Sequence, residues 1–402
     1  MTLDFFPMSH APPRRIFITV AEVSGDQHAA HLIRSLKELD PDLVIEGLGG
    51  SEMRLAGAII HHETVKSAAM GISAVWRAPE VLGLLRWTRN HFKTHPPDLQ
   101  ICCDSWGMNN YFARLAHSLG VPVLYYIAPQ VWASREGRIR RLRKWVDQLA
   151  CILPFEESYF RSHGVKATFV GHPLFDELPS RQPRPLTEDF SSRPPVVGLL
   201  PGSRRAEASK NLPAMLKVAE LIRRKFPGVK FLVPTTAGTD AVVRSLTADL
   251  SDVECKENAF DEIVPRCDLC ITVSGTATLH VAGHLVPMLV VYRVTPFIWH
   301  AFGRWLVRTR TFALVNLLNE GRRHIVPEFV PWFGEPETVA RTAIRFLSDP
   351  AERSAQVDQL AKLIAALDKP GASLNVAKLA VGILSDRQKN ANVERRTSNV
   401  EH

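Results

Sequence analysis

No stretch of this sequence is apolar for long enough to cross a bilayer as a helix, which takes about 20 consecutive apolar residues, so a helical membrane span is not expected. Residues Met1–Arg15 lack a basic start followed by an apolar core, so no secretory leader is expected either. The expectation is a cytoplasmic chain, attached at most to a membrane surface. Six cysteines (Cys102, Cys103, Cys151, Cys255, Cys267 and Cys270) show none of the spacing of a disulfide scaffold. Cys267-x-x-Cys270 is half of a metal site without a second CxxC or CxxH nearby, and Cys270 sits in an apolar run, where cysteine usually serves as a small apolar filler. Internal repeats and low-complexity segments are absent, which excludes solenoids and arrays.

What is present is a globular composition. The chain has 402 residues, 46% of them hydrophobic and 22% charged, too many for one ordinary core, so two domains are expected. The formal net charge of +8 favours an acidic partner: a nucleotide, a nucleic acid or an anionic membrane surface. No module with interleaved base-stacking aromatics supports the nucleic acid.

Short β-branched or apolar runs alternate with helical patterns. Ile16–Val20, Leu43–Leu48, Leu99–Cys103, Val121–Ile127, Gln148–Leu153 and Ala167–Val170 read as strands, with helices at Gln27–Leu39, Met108–Leu119 and Glu156–His163. A proline-rich, aperiodic segment follows, and the alternation restarts with strands at Val196–Leu200, Val229–Val233, Leu269–Val273 and Met288–Val291 and helices at Asn211–Lys225 and Thr276–Leu285. The fold class is therefore α/β: two tandem doubly wound, Rossmann-like domains with a cleft between them. The expected boundaries are 14–180, a linker 181–195, a second domain 196–385 and a disordered polar tail 386–402. In such sheets ligands lie beyond the carboxyl ends of the strands.

Two glycine-bearing turns stand at such ends. Pro201-Gly202-Ser203-Arg204 follows the run Val196–Leu200, and Ser274-Gly275-Thr276-Ala277-Thr278 follows Leu269–Val273. A strand feeding a helix N-terminus gathers unpaired N–H groups and partial positive charge, which suits phosphate oxygens. Arg204 has the geometry for a bidentate phosphate contact, though a solvated arginine and ordinary Ser/Thr caps would explain each turn taken alone. Together they suggest one diphosphate held from two sides.

Asp104, directly after Leu99–Cys103, is either a general base acting on a hydroxyl or a helix cap. The same choice, acceptor-site lining or cap, applies to Ser24-Gly25-Asp26, and Gly49-Gly50 reads as a tight turn with room for a ligand. His172, in Gly171-His172-Pro173, is a candidate ligand contact at the end of the first domain; Asn316 and Arg322 carry no signal of their own. Trp76–Lys93 and Phe297–Phe312 mix aromatic and basic residues as interfacial helices do, and the run Arg135–Lys144 is basic. Helices packed on their own sheets with cations outward fit as well.

In order along the chain, these segments resemble the lipid-A-disaccharide synthase family of GT-B glycosyltransferases, from about Ile16 to Leu384. The matching stretches include Glu22–Asp26, Gly47–Gly50 with Met53 and Gly57, Met70–Ile72, Ala128–Ala133, Leu153–Glu156, Gly171–Pro173, Leu200–Arg204 with Glu207, Ser274–Leu279, Asn316–Leu318 and Val326–Phe329. The resemblance implies transfer of the sugar of UDP-2,3-diacylglucosamine to the 6-hydroxyl of 2,3-diacylglucosamine 1-phosphate (lipid X), giving a β-1,6 disaccharide and UDP. It implies Asp104 as base, Arg204 and Ser274–Thr278 around the diphosphate, an activity-linked Asn316, and no metal or other cofactor. Peripheral attachment to the cytoplasmic face of the inner membrane is also implied, and an intertwined homodimer is compatible with it.

The chain departs from the family pattern in several places. Ser105-Trp106-Gly107-Met108-Asn109 lacks the usual proline and acid after Asp104, and His280 replaces a glutamate expected to hold the ribose. Ala74 and Ala29 replace a glutamate and a glycine, two residues are added between Asn316 and Pro327, and Pro331 replaces a glutamine. The alternatives are a divergent GT-B relative acting on another UDP-sugar or glycolipid, such as an epimerase, and a non-catalytic paralogue.

Overall fold

The structure, a computed structural model, describes residues 13–65, 78–131, 137–178, 190, 192–293, 311–319, 324–367, 369 and 371–398. The chain divides into two compact units, residues 1–176 with 369–402, and residues 177–368.

The first unit is built on a seven-stranded parallel sheet: β1 (Arg15–Thr19), β2 (Val44–Gly49), β3 (Ile59–Glu63), β4 (Leu99–Cys103), β5 (Val123–Tyr126), β6 (Gln148–Cys151) and β7 (Ala167–Phe169), in the order β3-β2-β1-β4-β5-β6-β7. The central strands read as near-continuous apolar runs because helices cover both faces. β4 is wholly buried, and its one polar residue, Gln100, donates from its amide to Thr19 Oγ1 at 3.0 Å. The second unit repeats the plan with six strands: β8 (Val196–Leu200), β9 (Lys230–Thr235), β10 (Val253–Glu257), β11 (Leu269–Val273), β12 (Met288–Arg293) and β13 (Glu328–Trp332), ordered β10-β9-β8-β11-β12-β13. In each sheet the order reverses beside the first strand, between β1 and β4 and between β8 and β11, which is where an open α/β sheet leaves a crevice. The α/β class, with a doubly wound parallel sheet in each unit, is thus as expected.

β3, β10 and β13 were not legible in the sequence. All three lie at sheet edges, where one side of the strand has no partner to bury it, so their sequences (IIHHE, VECKE, EFVPW) are polar or carry a proline. The helices also begin earlier than expected, at Val23, Trp106, Pro154 and Arg205.

The C-terminal boundary needs correction. Residues 369–385, expected in the second domain, belong to the first unit, and the segment 386–398, expected to be a disordered tail, continues the helix Ala372–Ser398. Val376, Ala377, Ala380 and Leu384 on that helix are buried with Ala29, Leu32, Ile33 and Leu36 of the helix Val23–Leu39. Asp176 accepts hydrogen bonds from the backbone N–H groups of Gly371, Ala372 and Ser373 at 2.9–3.1 Å, capping the returning helix. Gly171 lets the chain pass. It has φ +98°, and a Cβ there would lie 2.4 Å from the Lys369 carbonyl oxygen.

Within Trp76–Lys93, the helix Ala78–Thr94 turns Val81, Leu84, Leu85 and Trp87 against the core of its own unit, with Phe92 buried. Its apolar face is therefore occupied. Met70–Ile72, Ala74, Trp76, Arg77, Trp132, Ala133, Arg135, most of the linker, Phe297–Arg310 and Arg322 lie outside the described residues. Cys267 and Cys270 are buried against Gly198, where a Cβ would meet both sulfurs at 3.0 Å or less, and burial pushes the Cys270 thiol far above its ordinary range. They act as core filler.

Candidate functional site

In the first unit, β1 pairs with β4 with Thr19 opposite Cys102, so the turns that follow them stand side by side. A Cβ on Gly25 would lie 3.9 Å from the Asp104 Cβ, and Cys103 Sγ donates to the Gly25 carbonyl at 3.6 Å. Asp104 and Ser105 both adopt left-handed backbone, φ 53° and 45°, which costs a non-glycine residue of order 1–3 kcal/mol each. Three neighbours hold the turn. The buried Asn109 amide donates to the carbonyls of Cys103 and Asp104, each at 2.9 Å, and of Thr19 at 3.2 Å. Its Oδ1 accepts from the Thr19 hydroxyl at 2.7 Å, and the Tyr125 hydroxyl donates to the Asp104 carbonyl at 2.7 Å. The outcome is a half-buried carboxylate at the sheet's carboxyl edge. The left-handed pair Asp104-Ser105 delivers it there.

Ser24 is exposed, but the other candidates around it are structural. Asp26 lies inside the first turn of its helix, buried, and its carboxylate accepts from the backbone N–H groups of Gly50, Glu52 and Met53 at 2.9–3.3 Å. It caps the helix Ser51–Leu55, and its carboxylate is committed there. Gly49 and Gly50 are required by close packing: a Cβ would fall 2.3 Å from Met53 Sδ at the first and 2.3 Å from Asp26 Oδ2 at the second. His172 is buried as well. It is 5% exposed, and its Nδ1 accepts from the Leu174 backbone N–H at 3.2 Å at the start of the helix Leu174–Glu177.

In the second unit, β8 pairs with β11 with Leu200 opposite Thr272, so the two glycine turns leave adjacent strands about 5 Å apart. Gly202 (φ +114°) and Gly275 (φ +138°) take conformations closed to L side chains, and at Gly202 a Cβ would meet Glu207 Oε2 at 2.7 Å. The helices Arg205–Lys225 and Thr276–Gly283 start directly after these turns, each turning its first backbone N–H groups and the positive end of its dipole towards the strand ends. Ser203 and Arg204 are exposed; the Arg204 guanidinium donates to Glu207 Oε1 at 3.2 Å, a solvent-screened pair that an anion could replace. The buried Asn211, donating to the Pro201 carbonyl at 3.1 Å, ties the first turn down.

The hydroxyls of the second turn are mostly committed. Ser274 Oγ donates to the Phe312 carbonyl at 2.7 Å, and the buried Thr278 donates to the Gly275 carbonyl at 2.8 Å, closing the turn. Thr276 is exposed, and with the backbone of Gly275 and Ala277 it is what the turn offers a ligand. Asn316, expected as a catalytic group, is 3% exposed and satisfied by protein: it exchanges hydrogen bonds with the Val326 backbone at 2.8 and 2.9 Å and donates to Glu328 Oε1 at 2.6 Å. Glu328 in turn accepts from the Phe312 and Ala313 N–H groups at 2.9 and 3.1 Å. A continuous relay thus runs from Asn316 through Glu328 and Phe312 to Ser274.

His280 does not face open solvent as a free imidazole. Its ring stacks on Phe260 with centroids 4.2 Å apart, and its Nε2 lies 2.7 Å from Asp261 Oδ1. His284 Nε2 lies at the same distance from the same oxygen. Hydrogen bonds from the two imidazoles hold the Asp261 carboxyl well below the usual carboxylate range, against the opposing effect of burial. Asn109, Asn211, Glu328 and Asp261 were not singled out from the sequence. Only a polar residue at fixed spacing from a strand end, as Asn109 is from Cys103, hints at such roles.

The family model for lipid-A-disaccharide synthetase matches residues 16–380. Lipid-A-disaccharide synthase of Geobacter metallireducens is 35% identical over 387 residues, 95% of this chain and 100% of the relative. The Geobacter sulfurreducens enzyme of the same name is 36% identical over 383 residues, 94% and 99% of the two chains. Among solved structures, a putative UDP-N-acetylglucosamine 2-epimerase from Listeria monocytogenes superposes with a TM-score of 0.58 at 11% identity, covering 94% of this chain and 98% of that one. MurG of Acinetobacter baumannii gives 0.54 at 16% identity, covering 91% and 99%.

Proposed function

We propose that Asp104 is the general base and that the paired turns at Gly202 and Gly275 hold the donor diphosphate, on the premise that this chain belongs to the lipid-A-disaccharide synthase family. The chain is a glycosyltransferase, and the family's reaction joins the sugar of UDP-2,3-diacylglucosamine to lipid X. The bond between the anomeric carbon and the UDP β-phosphate oxygen breaks as the acceptor 6-hydroxyl oxygen attacks from the opposite face. Inversion follows, with the proton passing to Asp104 and the negative charge to UDP.

Each step asks for one group. A hydroxyl nucleophile needs a carboxylate aimed at the carboxyl edge of the first sheet, and the strained Asp104 turn supports that role. The departing diphosphate needs fixed donors, and the N–H groups of Gly275, Thr276 and Ala277, with Gly202, Ser203 and Arg204 beside them, are suited to it. The observation that carries the reading is the placement of both glycine turns on neighbouring strands at the order reversal of one sheet.

Attachment to the inner membrane's cytoplasmic face is part of the same proposal. Its support is the helix Arg138–Trp145, which exposes Arg140, Arg141, Arg143 and Lys144 while burying Ile139 and Leu142. No helix among the described residues is long and apolar enough to cross a membrane.

The test is incubation of the purified chain with UDP-2,3-diacylglucosamine and lipid X, followed by mass detection of the disaccharide. Wild type is expected to form product and Asp104→Ala to form about 10²–10⁴-fold less. Product from Asp104→Ala at the wild-type rate would remove Asp104 from the chemistry. No product from either, with turnover of a soluble acceptor instead, would favour a relative acting on another UDP-sugar.

A further inference from the structure

We propose that Asp261, His280 and His284 form a binding site for a first-row transition cation of the zinc, cobalt or nickel type. The three ligand atoms, one carboxylate oxygen and two imidazole nitrogens, all lie within 4.8 Å of one another, and Asp261 Oδ1 is 2.7 Å from each Nε2. His280 and His284 are four residues apart at the end of the helix Thr276–Gly283, so both rings rise from one face. Their planes lie 18° apart with centroids at 5.5 Å, and Phe260 fixes the His280 ring from its other side. Side chains so held lose little entropy when a cation binds.

A tetrahedral ion with bonds of about 2.0–2.1 Å needs its ligand atoms roughly 3.3 Å apart. The Asp261 carboxylate is 57% exposed and has only to draw back slightly to admit one. The ion would accept both Nε2 lone pairs, leaving each imidazole its proton at Nδ1, with the fourth position open to water. Two imidazoles and one carboxylate favour borderline transition metals over magnesium or calcium, which take all-oxygen sets.

Charge decides between this trio and the other one among the described residues. Glu46, His61 and His91 are arranged similarly, but Glu46 is 2% exposed and its second oxygen already accepts from the Arg15 guanidinium at 3.0 Å. A cation there would meet a neutralised carboxylate and a fixed positive charge in a buried place. Among the described residues, no ion pair of Asp261 involves Lys or Arg, and its exposure leaves a path of entry. When occupied, the site would cross-link the segment Phe260–Ile263 to the helix that begins at the Gly275 turn.

The test is titration of the full chain with Co²⁺, followed by its visible absorption, with Zn²⁺ as competitor and the thermal midpoint read in parallel. Wild type should develop the bands of a tetrahedral site, lose them to Zn²⁺, and gain thermal stability with metal. Asp261→Asn, a surface change that leaves the fold intact, and His284→Ala should each weaken Co²⁺ binding about tenfold or more, while His91→Ala binds as wild type does. Absence of binding by wild type, unchanged binding by Asp261→Asn and His284→Ala, or loss of binding in His91→Ala instead would each overturn the proposal.

Discussion

Asn316 Nδ2 donates to Glu328 Oε1 at 2.6 Å, and the same carboxylate receives the N–H groups of Phe312 and Ala313, whose neighbouring carbonyl at Phe312 accepts the Ser274 hydroxyl. A residue with no exposed polar atom of its own to offer a substrate is thereby joined to the turn that precedes Gly275. Glu328→Gln keeps the shape but removes the charge that two N–H groups and an amide share. It is expected to weaken UDP binding, and Asn316→Ala to do the same and to destabilise the second unit by about 1–3 kcal/mol. Calorimetry with UDP and urea unfolding of both variants check this; UDP affinity equal to wild type in both would break the proposed relay.

Asn109→Ala strips three carbonyls of their shared donor and releases the left-handed pair Asp104-Ser105. Turnover should fall steeply while UDP affinity is unchanged, with a stability loss of about 2–4 kcal/mol from the buried acceptors. A variant with normal turnover would show that the strained turn does not position Asp104.

Arg204 spends its charge on a screened contact to Glu207. Arg204→Ala should therefore cost almost no stability, yet weaken UDP binding by about 1.5–3 kcal/mol through loss of a charged hydrogen bond. Unchanged UDP affinity by calorimetry would take Arg204 out of the site.

Gly50→Ala drives a methyl group to 2.3 Å from the Asp26 carboxylate. The carboxylate must leave the N–H groups it caps, so stability should fall by about 1–3 kcal/mol without a change in UDP affinity. Denaturant unfolding at wild-type stability would show that the loop gives way instead.

Burial first, and the charge of neighbouring His31 second, pulls His28 down to about 4. The folded state then refuses a proton that the unfolded chain accepts below about 6.5, so this contribution to stability is constant above pH 6.5 and declines as pH falls from there towards 4. The full loss is about 3 kcal/mol. Wild type and His28→Gln, unfolded in urea at pH 7 and pH 4.5, should differ more at the acid value, with wild type the more weakened. A difference independent of pH would contradict it.

Much of the fold could be read from residue order. Nine of the buried parallel strands are apolar over most of their length because both faces are covered, as Leu269–Val273 is, and their periodicity survives without knowledge of partners. The edge strands Ile59–Glu63, Val253–Glu257 and Glu328–Trp332 escaped because exposure lets polar residues in. The helix Ala372–Ser398 escaped for a different reason: its place in the first unit depends on contacts with the distant helix Val23–Leu39, which residue order does not show.

At the site, the sequence alone determined the two glycine turns, because φ values of +114° and +138° can be met there only by glycine, and it determined that an acid ends β4. It could not separate a half-buried carboxylate at the sheet's edge from one bound by three backbone N–H groups. Asp104 and Asp26 look alike in the chain, each beside a strand and before an apolar helix. Only the tertiary structure brings the N–H groups of Gly50, Glu52 and Met53 to the Asp26 carboxylate, and the donors of Asn109 and Tyr125 to the backbone carbonyl of Asp104. Apart from the Asn109 bond, made to a carbonyl five positions away, these hydrogen bonds join residues more than 20 positions apart, and their partners are chosen by the packing of the sheet.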